Sequence, residues 1–124
     1  MTAARPRIAV IDDDAGIRAA VADLLQAADF TARTFTSAEE FLGRGQQEHF
    51  DCLVADINLP GMTGVALVQA LAASGRPLPA VLITGRDDPA TLDLIRRAGS
   101  IPHLRKPFGD DELFDAMRRA MAAA

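Results

Sequence analysis

Five side chains in this sequence have the types and the spacing to handle a phosphate. They are Asp12 and Asp13 at the end of RIAVIDDD, Asp56 at the end of CLVAD, Thr84 at the end of AVLIT, and Lys106 in HLRKPF. Three carboxylates brought to one place repel each other and raise at least one pKa unless a cation lies among them. Oxygen donors with no His or Cys beside them in the motif point to Mg²⁺ or a similar hard ion, which keeps several waters and leaves room for a phosphate oxygen. A hydroxyl and an ammonium on the same rim complete a set suited to phosphoryl transfer, where catalysis is mostly positioning and charge neutralisation. In such a set Asp56 is the candidate nucleophile, forming an aspartyl phosphate.

These residues can act together only if the fold collects them. Short apolar runs alternate with helix-length amphipathic segments, the pattern of an α/β protein with a parallel sheet. The strand candidates are 7–11, 31–35, 52–55, 80–84 and 101–104. Four are nearly unbroken apolar runs, as expected of strands covered on both faces. The run TARTF is more polar and suits an edge. Pro102, inside the last candidate, has no N–H for a central ladder and makes that strand an edge as well. Two edge strands, the second and the fifth, fit the order 2-1-3-4-5, in which strands one and three are neighbours and ligands bind at their carboxyl ends. That order sets Asp12, Asp13 and Asp56 side by side.

The helices are punctuated by their caps. Ser37 and Glu40 form a capping box, Asp88 and Pro89 read as N-cap and first helical residue, and Gly99 closes the same helix. Asp14 is expected to cap the first helix, and Thr63 or Gly64 to open the third. Leu113, Phe114, Met117, Ala120 and Met121 recur at helical spacing and form a docking face for the sheet. Pro60 and Gly61 force a turn directly after the Asp56 strand, which leaves backbone groups near the acidic cluster available to a metal or phosphate.

Composition narrows the function further. With 124 residues, 49% of them hydrophobic, the chain has the size of one compact domain, 1–124. A net charge of −4 argues against a nucleic-acid surface. The pairs Arg96-Arg97 and Arg118-Arg119 read as solvated charge near helix C-termini rather than as a binding patch. No apolar run reaches the length of a membrane span and no signal peptide is evident, so a cytoplasmic protein without membrane contact is expected. The lone Cys52 reads as a small core residue, and His49 as a surface histidine without a partner.

The pieces VIDDD, DINLPGMTG, LITG, AGSIPHLRKPF and DELFDAMRRAM resemble, in order and spacing, the receiver domains of two-component response regulators, from about Arg7 to Met121. The LITG and RKPF segments are most similar to receivers of nitrogen-fixation regulators, which usually precede a DNA-binding domain. The resemblance implies a flavodoxin-like (βα)5 fold. It implies that Asp56 is the phosphoryl acceptor, that Asp12 and Asp13 arrange Mg²⁺, and that the backbone carbonyl of Asn58 is a further metal ligand. By the same resemblance Thr84 and Lys106 contact the phosphoryl group, and the Lys106-Pro107 peptide is cis. The implied partners are a sensor histidine kinase or phosphotransfer protein and a downstream protein or output domain, reached through the surface of helix four, strand five and helix five. Dimerisation through that surface stays open, as does whether the chain acts alone or within a longer regulator.

Two positions depart from the family. His103 stands where the family usually has an aromatic switch residue, and it either fills the groove beside helix four or weakens or pH-tunes the output step. Asn58 either orients attacking water, shortening the life of the phosphoryl state, or is simply solvated. The competing function is an interaction module that keeps the fold without using phosphate, whose mark would be loss of Asp56, of the acidic pair or of Lys106. A Mg²⁺-dependent phosphatase of the haloacid dehalogenase type would need a second acid where this chain has Asn58. A receiver catalyses its own phosphorylation and hydrolysis but serves as a switch rather than as a metabolic enzyme.

Overall fold

The computed structural model describes residues 5–45 and 48–123. Their order is β1 (Arg7–Ile11), α1 (Ala15–Ala27), β2 (Thr31–Phe35), α2 (Ala38–Glu40, continued by a wider π-helical turn at Phe41–Gly45), β3 (Cys52–Asp56), α3 (Gly64–Ala73), β4 (Ala80–Thr84), α4 (Pro89–Ala98), β5 (His103–Arg105) and α5 (Asp110–Ala122). The five strands are parallel and ordered β2-β1-β3-β4-β5.

Strand alternation divides the core in two. Ala9, Ile11, Leu53, Ala55 and Leu82 face the layer that includes Phe35, Phe41, Leu67 and Leu71. Ile8, Val10, Cys52, Val54, Val81 and Ile83 face Val21 and Leu25 of α1 and Leu113, Met117 and Ala120 of α5. Both faces are covered, so the central strands are apolar except at their ends, where Arg7, Asp56 and Thr84 stand. Phe114 and Met121 lie partly buried at the border of the α5 face, where Phe114 stacks on Phe30 with centroids 6.1 Å apart.

The caps follow the residue types, with one change. Asp14 accepts from the Ile17 N–H, Thr63 from that of Ala66 and Asp88 from that of Thr91. Ser37 accepts from Glu40 N as expected, but the Glu40 carboxylate reaches back one residue further, to the Thr36 N–H at 2.9 Å. Gly99 ends α4 with φ 63°, a left-handed value that favours glycine. The fifth strand is shorter than 101–104: it begins at His103. Pro102 lies just ahead of it, where it needs no N–H, and its carbonyl accepts from Leu82 N at 2.9 Å. His49 is exposed yet partnered, with Nε2 3.0 Å from Asp51 Oδ1. Arg96 and Arg97 pair with Asp93, and Arg118 and Arg119 with Asp115, along their own helix surfaces. Among the described residues no helix is long and apolar enough to cross a membrane.

Candidate functional site

Parallel register delivers the site. Ile11 lies opposite Ala55, so Asp12 and Asp56 extend from the carboxyl ends of neighbouring strands. On the other side Asp56 is opposite Ile83, with Thr84 next, and Thr84 is opposite Arg105, with Lys106 next. The Lys106 N–H donates to the Thr84 carbonyl at 2.8 Å, which ties the last element to the rim, and the Lys106-Pro107 peptide is cis.

The carboxylates of Asp12, Asp13 and Asp56 offer oxygen atoms within 4.8 Å of one another. Asp12 is 2% exposed and Asp56 8%, while Asp13 lies at the surface. Lys106 Nζ is 3.2 Å from Asp12 Oδ2 and 3.3 Å from Asp56 Oδ2, bridging the two buried acids. The second oxygen of each acid is held by a backbone N–H two residues on, Asp14 N to Asp12 Oδ1 at 2.9 Å and Asn58 N to Asp56 Oδ1 at 2.8 Å. Arg18 donates to the Asp12 carbonyl at 2.7 Å and braces the end of β1 from α1.

Electrostatically the cluster is short of positive charge. Burial pushes the Asp12 carboxyl above its ordinary 3.8, and the Asp56 charge adds to this, although the Asp14 N–H and Lys106 act the other way. Burial also pulls on Lys106, downward, but the carboxylates of Asp56 and Asp12 outweigh it and hold the ammonium above its ordinary 10.5. Both members of one ion pair therefore shift upward. The ammonium keeps its proton readily but does not offset the burial of Asp12. An all-oxygen donor set with this surplus of negative charge fits a hard divalent cation.

The Asn58 side chain is half-buried and held at both ends of its amide. Its Oδ1 accepts from Thr84 Oγ1 at 3.0 Å and its Nδ2 donates to Thr91 Oγ1 at 2.9 Å. Thr91, fully buried on α4, was not singled out in the sequence, where a threonine inside an amphipathic helix reads as a small core residue. Its signal was its place three residues after the cap Asp88. The turn after β3 is fastened from α2: Glu39 accepts from Met62 N at 3.0 Å, and Gly61 takes φ 74°. So the loop's amides are partly committed, unlike the open loop expected. Gly64 is required for closeness, since a Cβ there would lie 2.5 Å from the carbonyl oxygen of Asp56. His103 is exposed on the edge strand, apart from the acidic cluster.

A doubly wound parallel sheet with its acidic site at the β1/β3 switch point defines a flavodoxin-like α/β protein. Within that class the chain belongs to the response regulator receiver domain family, whose sequence pattern matches residues 8–118. It is similar to the transcriptional regulatory protein FixJ of Bradyrhizobium diazoefficiens, with 36% identity over 94% of this chain and 59% of the relative. The C4-dicarboxylate transport transcriptional regulatory protein DctD of Rhizobium meliloti is 36% identical over 94% of this chain and 25% of its own length. The crystal structure of FixJ-N superposes with a TM-score of 0.84 at 28% identity, covering 100% of this chain and 98% of that one. The chain thus spans under two thirds of those two regulators.

Proposed function

We propose that this chain is a phosphorylation-operated switch. Asp56 accepts a phosphoryl group from a sensor histidine kinase or phosphotransfer protein: an Asp56 carboxylate oxygen forms the new P–O bond as the donor's P–N bond breaks, and the imidazole leaves with the bonding pair. The observation that carries this reading is Lys106 Nζ set between Asp12 Oδ2 and Asp56 Oδ2 inside a three-carboxylate cluster. A structural ion pair needs one acid, not three.

Asp12, Asp13, Asp56 and the backbone carbonyl of Asn58 would hold Mg²⁺, which when bound supplies positive charge to the phosphoryl oxygens. Lys106 supplies the protein's own cation, and Thr84 a hydroxyl donor at the end of the adjacent strand. The modified state is read on the face of α4, β5 and α5, where Leu92 is 48% exposed and His103 stands open. A downstream protein, an output domain or a second copy would dock there, and the domain itself, 1–124, contacts neither nucleic acid nor membrane in a cytoplasmic setting. Autocatalysed phosphorylation and hydrolysis are its only chemistry.

Beryllofluoride, a mimic of the phosphoryl group, tests the reading without a donor. With Mg²⁺ present it should perturb the amide resonances of Asp56, Thr84 and Lys106 in the native chain and leave Asp56→Asn unchanged. Equal response in both proteins, or none in either, would favour an interaction module that uses the fold alone.

A further inference from the structure

Four polar side chains form one line from the site rim to the start of α4. Asp88 Oδ1 accepts from Thr91 Oγ1 at 2.7 Å, Thr91 Oγ1 lies 2.9 Å from Asn58 Nδ2, and Asn58 Oδ1 lies 3.0 Å from Thr84 Oγ1. The carboxylate decides the direction of the line. An ionised Asp88 can only accept, so the Thr91 hydroxyl must spend its one proton there and can only accept from Asn58. Asn58 must then turn its NH₂ toward Thr91 and its oxygen toward Thr84, which leaves Thr84 as the donor. The polarity of all three bonds is thereby set by the N-cap of α4.

The Thr84 hydroxyl is fully committed by this arrangement. It accepts from the Arg86 N–H at 3.1 Å, and its single proton goes to Asn58 Oδ1 at 3.0 Å, with the Arg86 carbonyl a more distant second acceptor at 3.2 Å. A group with one proton cannot keep Asn58 and also donate to a phosphoryl oxygen on Asp56.

We propose that Thr91 is a positioning residue for Thr84: acting through Asn58, it latches the hydroxyl in the unmodified state, and capture of that hydroxyl by a phosphoryl group unfastens the first turn of α4. The inference rests on Asp56 being the acceptor. When Thr84 leaves Asn58, the half-buried amide loses that donor, and the line Asn58–Thr91–Asp88 loses the mutual polarisation that strengthened it. Thr91 is 0% exposed, so the weakening passes to its other partner, the cap Asp88. Leu92, the exposed large hydrophobic residue next to Thr91, rides on that turn. The latch therefore connects the phosphate site to the outer face of α4 through three hydrogen bonds, without requiring the aromatic residue that His103 replaces.

Two measurements test this. The first needs no phosphate: amide hydrogen exchange in α4 of Thr84→Val against native and Thr84→Ser. Faster exchange at the Thr91 amide in Thr84→Val, by about fivefold, the factor that one net hydrogen bond of ordinary strength represents, is expected, with Thr84→Ser near native. Unchanged exchange at Thr91 would overturn the latch, whatever the phosphate chemistry proves to be. The second is the affinity for beryllofluoride with Mg²⁺. Thr91→Val should bind it about fivefold more tightly than native, Thr91→Ser should match native, and the gain should vanish when Thr84 is already valine. A purely structural Thr91 would shift stability and leave that affinity, or its dependence on Thr84, unmoved, and this result would overturn the inference. If the native chain binds no beryllofluoride, the acceptor reading fails and the latch stands or falls on the exchange data alone.

Discussion

Lys106 carries more of the site than any other single side chain, because among the described residues it alone bridges both buried acids. Its loss should slow phosphoryl transfer on the order of 100-fold, the usual effect of removing one donor aimed at developing charge. The rate of adduct formation in Lys106→Ala with acetyl phosphate would show this, and a rate within a few-fold of native would remove the lysine from the chemistry. Cys52 marks the opposite extreme, a reactive type made inert by its place. Burial pushes its thiol up to about 12, so almost no thiolate exists near neutral pH. Iodoacetamide should leave the folded chain unmodified and label it readily in urea. Residue types alone pointed to Asp12, Asp13, Asp56, Thr84 and Lys106, because carboxylates, a hydroxyl and an ammonium at the ends of apolar runs have few bland explanations together. They could not point to Thr91, whose role exists only because α4 turns it toward Asn58 across 33 residues of chain.

The strands were readable because a covered parallel strand must be largely apolar while an edge strand such as TARTF need not be, and 7–11, 31–35 and 80–84 match the structure at both ends. Boundaries failed where the ladder, not hydrophobicity, decides. Asp56 still pairs with Ile83 and so belongs to β3, while Ile101 and Pro102 are apolar yet lie ahead of β5. The winding of α2 into a π turn was equally hidden, although Gly43 and Gly45 within it are poor helix formers. Helix α3 offers the sharpest test of element placement. Its first residue, Gly64, touches the Asp56 backbone so closely that Gly64→Ala must push the helix or the strand end away. The substitution should cost about 1–3 kcal/mol in urea unfolding, as overpacking does. A variant as stable as native would mean that the junction yields without cost.

Stability and signalling are separated across the sheet, with the acidic site at its carboxyl edge and a structural clasp at its amino edge. There Asp51 Oδ2 accepts from Arg7 N at 2.8 Å, and Arg7 also reaches Glu48 and the His49 carbonyl, joining the starts of β1 and β3. The Asp51 carboxyl is held below its ordinary 3.8, first by the Arg7 N–H and also by His49, against the upward push of burial. A depressed folded pKa gives stability that is complete above 3.8 and is lost as the pH falls through the lower folded value. The stability difference between native and Asp51→Ala should accordingly be widest near neutral pH and narrow in acid below that value. A difference independent of pH would show that Asp51 acts only by packing. Phosphoryl transfer, by contrast, should be untouched by Asp51→Ala, since Asp51 and its partners Arg7 and His49 lie at the opposite end of the strands from Asp56. The most direct test of the switch is the intact mass of the native chain and of Asp56→Asn after incubation with acetyl phosphate, with and without Mg²⁺. One phosphoryl adduct on the native chain, dependent on Mg²⁺ and missing from Asp56→Asn, is the predicted result; no adduct, or an adduct that survives in Asp56→Asn, would contradict it.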